Sequence, residues 1–123
     1  MSAPPLKRIM VVDSLMDISP IGRVLLAAEG FDISVMPDPM EALKAAEKDW
    51  PDFVVIDDSM SGFCSTDEWV AMMRNKNIPS VLIVTGTDNP EDSAHRLNVQ
   101  HWFKKPFDFK ALLAVLKSSG HAA

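Results

Sequence analysis

Three stretches of this chain, Ile9-Met10-Val11-Val12, Phe53-Val54-Val55-Ile56 and Val81-Leu82-Ile83-Val84, are apolar at every position. Side chains alternate faces along a strand, so a run of this kind suits a sheet covered on both sides. Such cover is built by crossover helices, which points to parallel strands in an α/β layer structure. Asp32-Ile33-Ser34-Val35 alternates polar with apolar and reads as a half-exposed edge strand. Trp102-Phe103, ahead of Lys104-Lys105-Pro106, supplies a fifth strand.

Helix starts separate these runs. Ser19 precedes Pro20, Asp38 precedes Pro39, Asn89 precedes Pro90 and Asp108 precedes Phe109, while Ser65 with Glu68 has the spacing of a capping box. Apolar residues then recur at helical spacing: Ile21, Val24, Leu25 and Ala28; Trp69, Met72 and Met73; Phe109, Leu112, Leu113 and Leu116. These stripes are expected to pack on the sheet. Strict alternation of strand and helix predicts a doubly wound (βα)5 domain, its five-stranded parallel sheet in the order 2-1-3-4-5 with right-handed crossovers.

A length of 123 residues suits one core rather than two, so a single domain is expected over 1–123, with its core at about 7–117 and mobile tails at Met1 to Pro5 and Ser118 to Ala123. The net charge of -5 argues against direct nucleic-acid binding, which usually uses a basic face. The longest apolar run, Ala111 to Leu116, is far short of the roughly 20 residues that span a bilayer, and no secretory signal is visible. Cys64 has no partner for a disulfide and no zinc spacing, which makes a reducing cytoplasm the expected compartment.

Polar residues follow the strands: Asp13 after Val12, Asp57 after Ile56, Thr85 after Val84 and Lys105 after Trp102-Phe103. In an open parallel sheet the ligand crevice lies outside the carboxyl ends of the strands. Two acids, a hydroxyl and an amine are therefore expected to meet in one solvent-open cleft. Singly each has a plain structural explanation; jointly they mark a site.

Val11-Val12-Asp13, Phe53-Val54-Val55-Ile56-Asp57, Val84-Thr85-Gly86 and Lys105-Pro106-Phe107 resemble the strand-end signatures of response regulator receiver domains, a resemblance that runs from Lys7 through Lys117. It implies a flavodoxin-like receiver fold and a phosphoacceptor role for Asp57 in a two-component phosphorelay. The donor would be a histidine kinase, a phosphotransfer protein or a small acyl phosphate. By the same resemblance Thr85 and Lys105 stabilise the phosphoryl group. The resemblance further implies that Asp13, Asp57 and the Ser59 backbone carbonyl would hold Mg²⁺, that Thr85 and Trp102 would form the switch, and that the Lys105-Pro106 peptide would be cis. Output would leave through the face of the fourth helix, fifth strand and fifth helix. The domain would be regulatory rather than an enzyme, with an unnamed downstream protein and a homodimer among its assemblies.

The pattern is broken after the first strand, where the chain reads Asp13-Ser14 in place of two acids. Ser14 would then act through a water, and magnesium would bind more weakly. Asp58 is not expected to compensate, because its side chain should point away from that of Asp57. Met60-Ser61-Gly62-Phe63-Cys64 departs from the usual loop, Asn98-Val99 replaces a common Gly-Ala, and a short interval between Thr85 and Trp102 predicts a short or displaced fourth helix. His95 and His101 lack metal spacing and are left out of the site. A phosphorylation-independent pseudo-receiver, acting as a protein-interaction module, is the alternative function. A mononucleotide-binding enzyme ranks below both, since Ser14-Leu15-Met16-Asp17 has no glycine to cradle a phosphate.

Overall fold

The structure is a computed structural model that describes residues 7–12, 20–60, 64–105, 107 and 109–119. Five strands, β1 (Lys7–Val12), β2 (Phe31–Met36), β3 (Phe53–Asp57), β4 (Val81–Gly86) and β5 (His101–Lys104), alternate with five helices. These are α1 (Pro20–Ala28), α2 (Pro39–Lys48), α3 (Thr66–Asn75), α4 (Pro90–Leu97) and α5 (Phe109–Ser119). All strand pairs are parallel and the order is β2-β1-β3-β4-β5, as the strand-helix alternation predicts. The last helix extends to Ser119, two residues into the segment expected to be a tail.

The apolar runs explain the layers. Alternate residues of the three central strands face opposite sides, so Met10, Val12, Val54, Ile56, Leu82 and Val84 meet α2, α3 and α4. Ile9, Val11, Phe53, Val55 and Ile83 meet Leu26 of α1 and Leu112 and Leu116 of α5. The outer strand β2 is half-exposed, with Asp32 and Ser34 facing water, as its alternation suggested. Register aligns Ile56 with Val84 and Asp57 with Thr85, which brings the polar ends of β3 and β4 side by side.

The start signals act as read. Asp38 accepts from the Met40 and Glu41 amides, Asn89 accepts from the Asp92 amide, and Ser65 and Glu68 form a reciprocal capping box. Ser19 and Asp108 lie outside the described residues, as does the Met1–Pro5 tail. The fourth helix is short, eight residues, closed by Asn98 in the left-handed region that asparagine tolerates.

One stripe is corrected. Val24 and Leu25 of α1 are 68% and 48% exposed and Ala28 faces solvent, whereas Leu26 is fully buried. Val24 to Ala28 is apolar at every position, so periodicity cannot select a face there, and packing against Phe31, Leu112 and Leu116 selects Leu26. The indole of Trp69 shows the opposite case: it is fully buried, and its Nε1 donates to the Pro39 carbonyl at 2.8 Å, fastening α3 to the first turn of α2. Replacing Trp69 with Ala should lower the unfolding free energy by about 3–5 kcal/mol. Trp69→Phe should cost less, keeping most of the apolar contact and losing the hydrogen bond; urea unfolding of the two variants measures the difference.

Candidate functional site

Asp57 ends β3, where a strand buried on both faces delivers a carboxylate to the rim of the sheet. Its side chain retains only 12% exposure, so its charge needs nearby donors. They are present. The Ser59 amide donates to Asp57 Oδ1 at 3.3 Å, the Ser59 hydroxyl lies 3.2 Å from Oδ1 and 3.1 Å from Oδ2, and the Lys105 ammonium stands 3.6 Å from Oδ2. Lys105 is brought there by β5, since its own amide donates to the Gly86 carbonyl at 2.7 Å and continues the pairing with β4.

Thr85 is buried beside Asp57 across the β3–β4 pairing, and its hydroxyl donates to the Ile56 carbonyl at 3.5 Å. The structure thus brings Asp57 and Lys105 into contact and places Thr85 next to them with its hydroxyl turned to the backbone. Ser59 is adjacent, its amide and hydroxyl both on the carboxylate. Asp13, Ser14 and Pro106, including the expected cis peptide, lie outside the described residues. Oxygen atoms make up the available donor set, which suits a hard cation such as Mg²⁺. Among the described residues no group of three His, Cys, Asp or Glu side chains could hold a metal by itself, so Asp57 and backbone oxygen would carry the described part of such a site.

The neighbouring carboxylate goes elsewhere. The Asp58 amide donates to the Thr85 carbonyl at 2.8 Å, prolonging the β3–β4 pairing, and the strand alternation turns the side chain to the opposite face. There Asp58 Oδ2 accepts from the Ser93 hydroxyl of α4 at 3.0 Å. It rests directly over Gly86, where any Cβ would collide with the carboxylate. Alternation anticipates the direction of Asp58. It is silent on Ser93, which lies 35 residues away.

Sequence reasoning missed a second group. The hydroxyl of Thr66, buried at the first position of α3, donates to the Asp57 carbonyl at 2.6 Å and accepts from the Met60 amide at 3.2 Å. The capping box drew attention to Ser65 and Glu68; nothing local marks the next hydroxyl as belonging to the acceptor loop. Nearby Cys64 is buried, and burial, with the Glu68 charge adding to it, pushes its thiol above the usual range. That keeps it from being a ready nucleophile.

The chain matches a family model, the response regulator receiver domain, over residues 9–117. The chain belongs to the response regulator receiver domain family. Among curated relatives, it is 27% identical over 113 residues to the DNA-binding response regulator MtrA of Mycobacterium tuberculosis, covering 91% of this chain and 50% of that protein. It is 27% identical to the alkaline phosphatase synthesis transcriptional regulatory protein PhoP of Bacillus subtilis, covering 91% of this chain and 48% of PhoP. The receiver domain thus spans about half the length of these relatives. Solved structures share its fold, two of them being the following. The signal receiver domain of a putative LuxO repressor from Vibrio parahaemolyticus has a TM-score of 0.79 at 16% identity, covering 92% of this chain and 88% of that one. The receiver domain of sensor histidine kinase PA1611 from Pseudomonas aeruginosa, solved with magnesium in its active site cleft, has a TM-score of 0.70 at 15% identity, covering 92% and 96%.

Away from the cleft, this receiver domain ties α4 to α3. Arg96 donates to both carboxylate oxygens of Asp67, at 3.0 and 2.8 Å, and Arg74 donates to the Asn98 carbonyl at 3.0 Å. The Arg96 hydrogen bond holds the Asp67 carboxyl below the usual aspartate range. What this exposed pair adds is therefore complete above the unfolded value near pH 3.9 and fades as pH falls through the lowered one. Trp102, the expected switch aromatic, is 40% exposed on β5, while His101 is half-buried beside it and His95 is exposed on α4.

The Asp58–Gly86 contact gives a test of this geometry. Gly86→Ala should destabilise the domain by about 1–3 kcal/mol, as overpacking does. In an Asp58→Ser background the same change should cost markedly less, so that thermal or urea unfolding of the double-mutant cycle shows strong non-additivity. Equal costs in the two backgrounds would contradict the contact.

Proposed function

We propose that Asp57 accepts a phosphoryl group and that this chain is the switch of a two-component phosphorelay. The observation that carries the reading is the Lys105 ammonium 3.6 Å from Asp57 Oδ2, in a rim that also holds Thr85 and the Ser59 donors. An isolated structural ion pair would not require a threonine and a donor-rich turn at the same strand ends. It is this convergence at the carboxyl side of a parallel sheet that builds sites on such folds.

In the proposed reaction a carboxylate oxygen of Asp57 attacks phosphorus in line. A P–O bond forms as the P–N bond of a phosphohistidine, or the P–O bond of an acyl phosphate, breaks; the leaving imidazole or carboxylate keeps the electron pair. Charge accumulates on the equatorial oxygens, where positioned cations and donors lower the barrier. Lys105 is placed to follow one of these oxygens. Thr85, released from the Ile56 carbonyl, would donate its hydroxyl to another, and Ser59 would hand its hydrogen bonds from the carboxylate to the acyl phosphate. A bound Mg²⁺ would neutralise phosphoryl charge; Asp57 and the Ser59 carbonyl, with Asp13, are the residues assigned to hold it. With Asp58 engaged by Ser93 and Ser14 in place of an acid, weak magnesium binding is expected.

The partner that fits is a histidine kinase or phosphotransfer protein supplying phosphohistidine, with a downstream protein receiving the signal. We read the chain as regulatory rather than catalytic. No helix among the described residues is long and apolar enough to cross a membrane, and a cytoplasmic setting suits the buried free thiol.

Incubation with acetyl phosphate and Mg²⁺ should add one phosphoryl group to the intact protein by mass spectrometry, and Asp57→Asn should abolish it. Lys105→Ala should slow labelling by roughly 100-fold, the usual effect of removing one charge-stabilising donor. A wild-type chain that stays unlabelled by acetyl phosphate and by kinase donors would favour a phosphorylation-independent interaction module instead.

A further inference from the structure

We propose that Thr66 is a positioning residue for the cation site, acting through the backbone carbonyl of Ser59; the inference rests on the phosphoacceptor reading. The hydroxyl of Thr66 is buried, and both of its hydrogen-bonding capacities are engaged in the turn that follows Asp57. It donates to the Asp57 carbonyl at 2.6 Å and accepts from the Met60 amide at 3.2 Å. One side chain on α3 thereby clamps the two ends of the four-residue segment Asp57–Met60.

Planarity of the peptide bond supplies the rest. The Met60 N–H and the Ser59 C=O belong to the same peptide group, and in a trans peptide they point in opposite directions within a common plane. A hydroxyl that fixes the first fixes the second, so the Ser59 carbonyl is held pointing away from Thr66. Meanwhile the amide of Ser59 is fixed on Asp57 Oδ1 at 3.3 Å. Both peptide groups flanking Ser59 are constrained, one by the acceptor carboxylate and the other by Thr66. That matters for a residue which is itself exposed.

A helix-capping role does not account for Thr66. The cap is Ser65, whose hydroxyl accepts from the Glu68 amide at 3.1 Å while Glu68 returns a bond to the Ser65 amide at 3.1 Å. Thr66 follows it and turns its hydroxyl back toward the turn. Magnesium demands nearly ideal octahedral placement of its ligands. Where one carboxylate of the usual pair is replaced by Ser14, the orientation of a neutral carbonyl ligand bears more of the affinity.

The test is titration of the full chain, isotope-labelled, with magnesium chloride at constant ionic strength, following the Ser59 and Met60 amides by NMR for the wild type, Thr66→Ser, Thr66→Ala and Thr66→Val. Loss of the hydroxyl in the Ala and Val variants should weaken magnesium binding by at least about tenfold, the range seen when an outer group that orients a ligand is removed. Thr66→Ser should remain close to wild type. If Val disturbs folding by thermal melting, Ala carries the comparison. Equal affinities in all folded variants, or a Ser variant as weak as Ala, would overturn the proposal. A wild type that acetyl phosphate labels at Asp57 while the Thr66 variants bind magnesium normally defeats this inference alone. A wild type that neither binds magnesium nor becomes labelled defeats the phosphoacceptor reading as well.

Discussion

The Asp57 carboxylate, carried to the edge of a dry sheet, is the constraint around which this molecule is arranged. β3 is buried along its whole length, so its last residue arrives where water is scarce and an anion is costly. Everything adjacent answers that cost: the Ser59 turn folds back to donate, β5 ends so that Lys105 reaches across, and the β4 register sets Thr85 alongside. On the phosphoacceptor reading proposed above, the same donors would also meet the anionic oxygens of an electrophile. A phosphoryl group added to one carboxylate oxygen would be met by donors that now hold the carboxylate.

The period of two in a strand separates two neighbouring acids into two tasks. Asp57 faces the cleft, and Asp58, one residue on, faces α4, where Ser93 and the open space above Gly86 receive it. The end of β3 is thus coupled to α4 through a polar contact, and α4 is in turn fastened to α3 by Arg96 and Arg74. In this receiver domain the fourth helix is short and held by side chains from the strand end and from α3, rather than by apolar packing alone.

Much of this was legible before any coordinates. Continuous apolar runs required a sheet covered on both faces, alternation of elements required parallel strands, and the polar residues Asp57 and Thr85 that close two of the runs stand side by side at the rim. What failed to be legible has physical causes. The uniform apolarity of Val24 to Ala28 leaves the helical face undefined until α5 and β2 are in place, so Leu26 could not be distinguished from its neighbours. Thr66 and Ser93 take part through hydrogen bonds to residues that folding alone brings near, Asp57 and Asp58, and hydroxyl side chains carry no periodic signature. The Lys105 contact was anticipated because strand ends converge by topology; the Thr85 hydroxyl, expected to face Asp57, is instead on the Ile56 carbonyl, an alternative that only local geometry decides.

An open sheet has two borders, and unpaired strand borders invite other chains to add on in ladder fashion, the first step of aggregation. Here β5 is four residues long, bears Lys104 facing water and is followed at once by Lys105, while β2 places Asp32 and Ser34 outward. Brevity and like charge on one side, and an acid on the other, discourage an incoming strand. The lysine paired with Asp57 therefore also belongs to the border that keeps the sheet to itself.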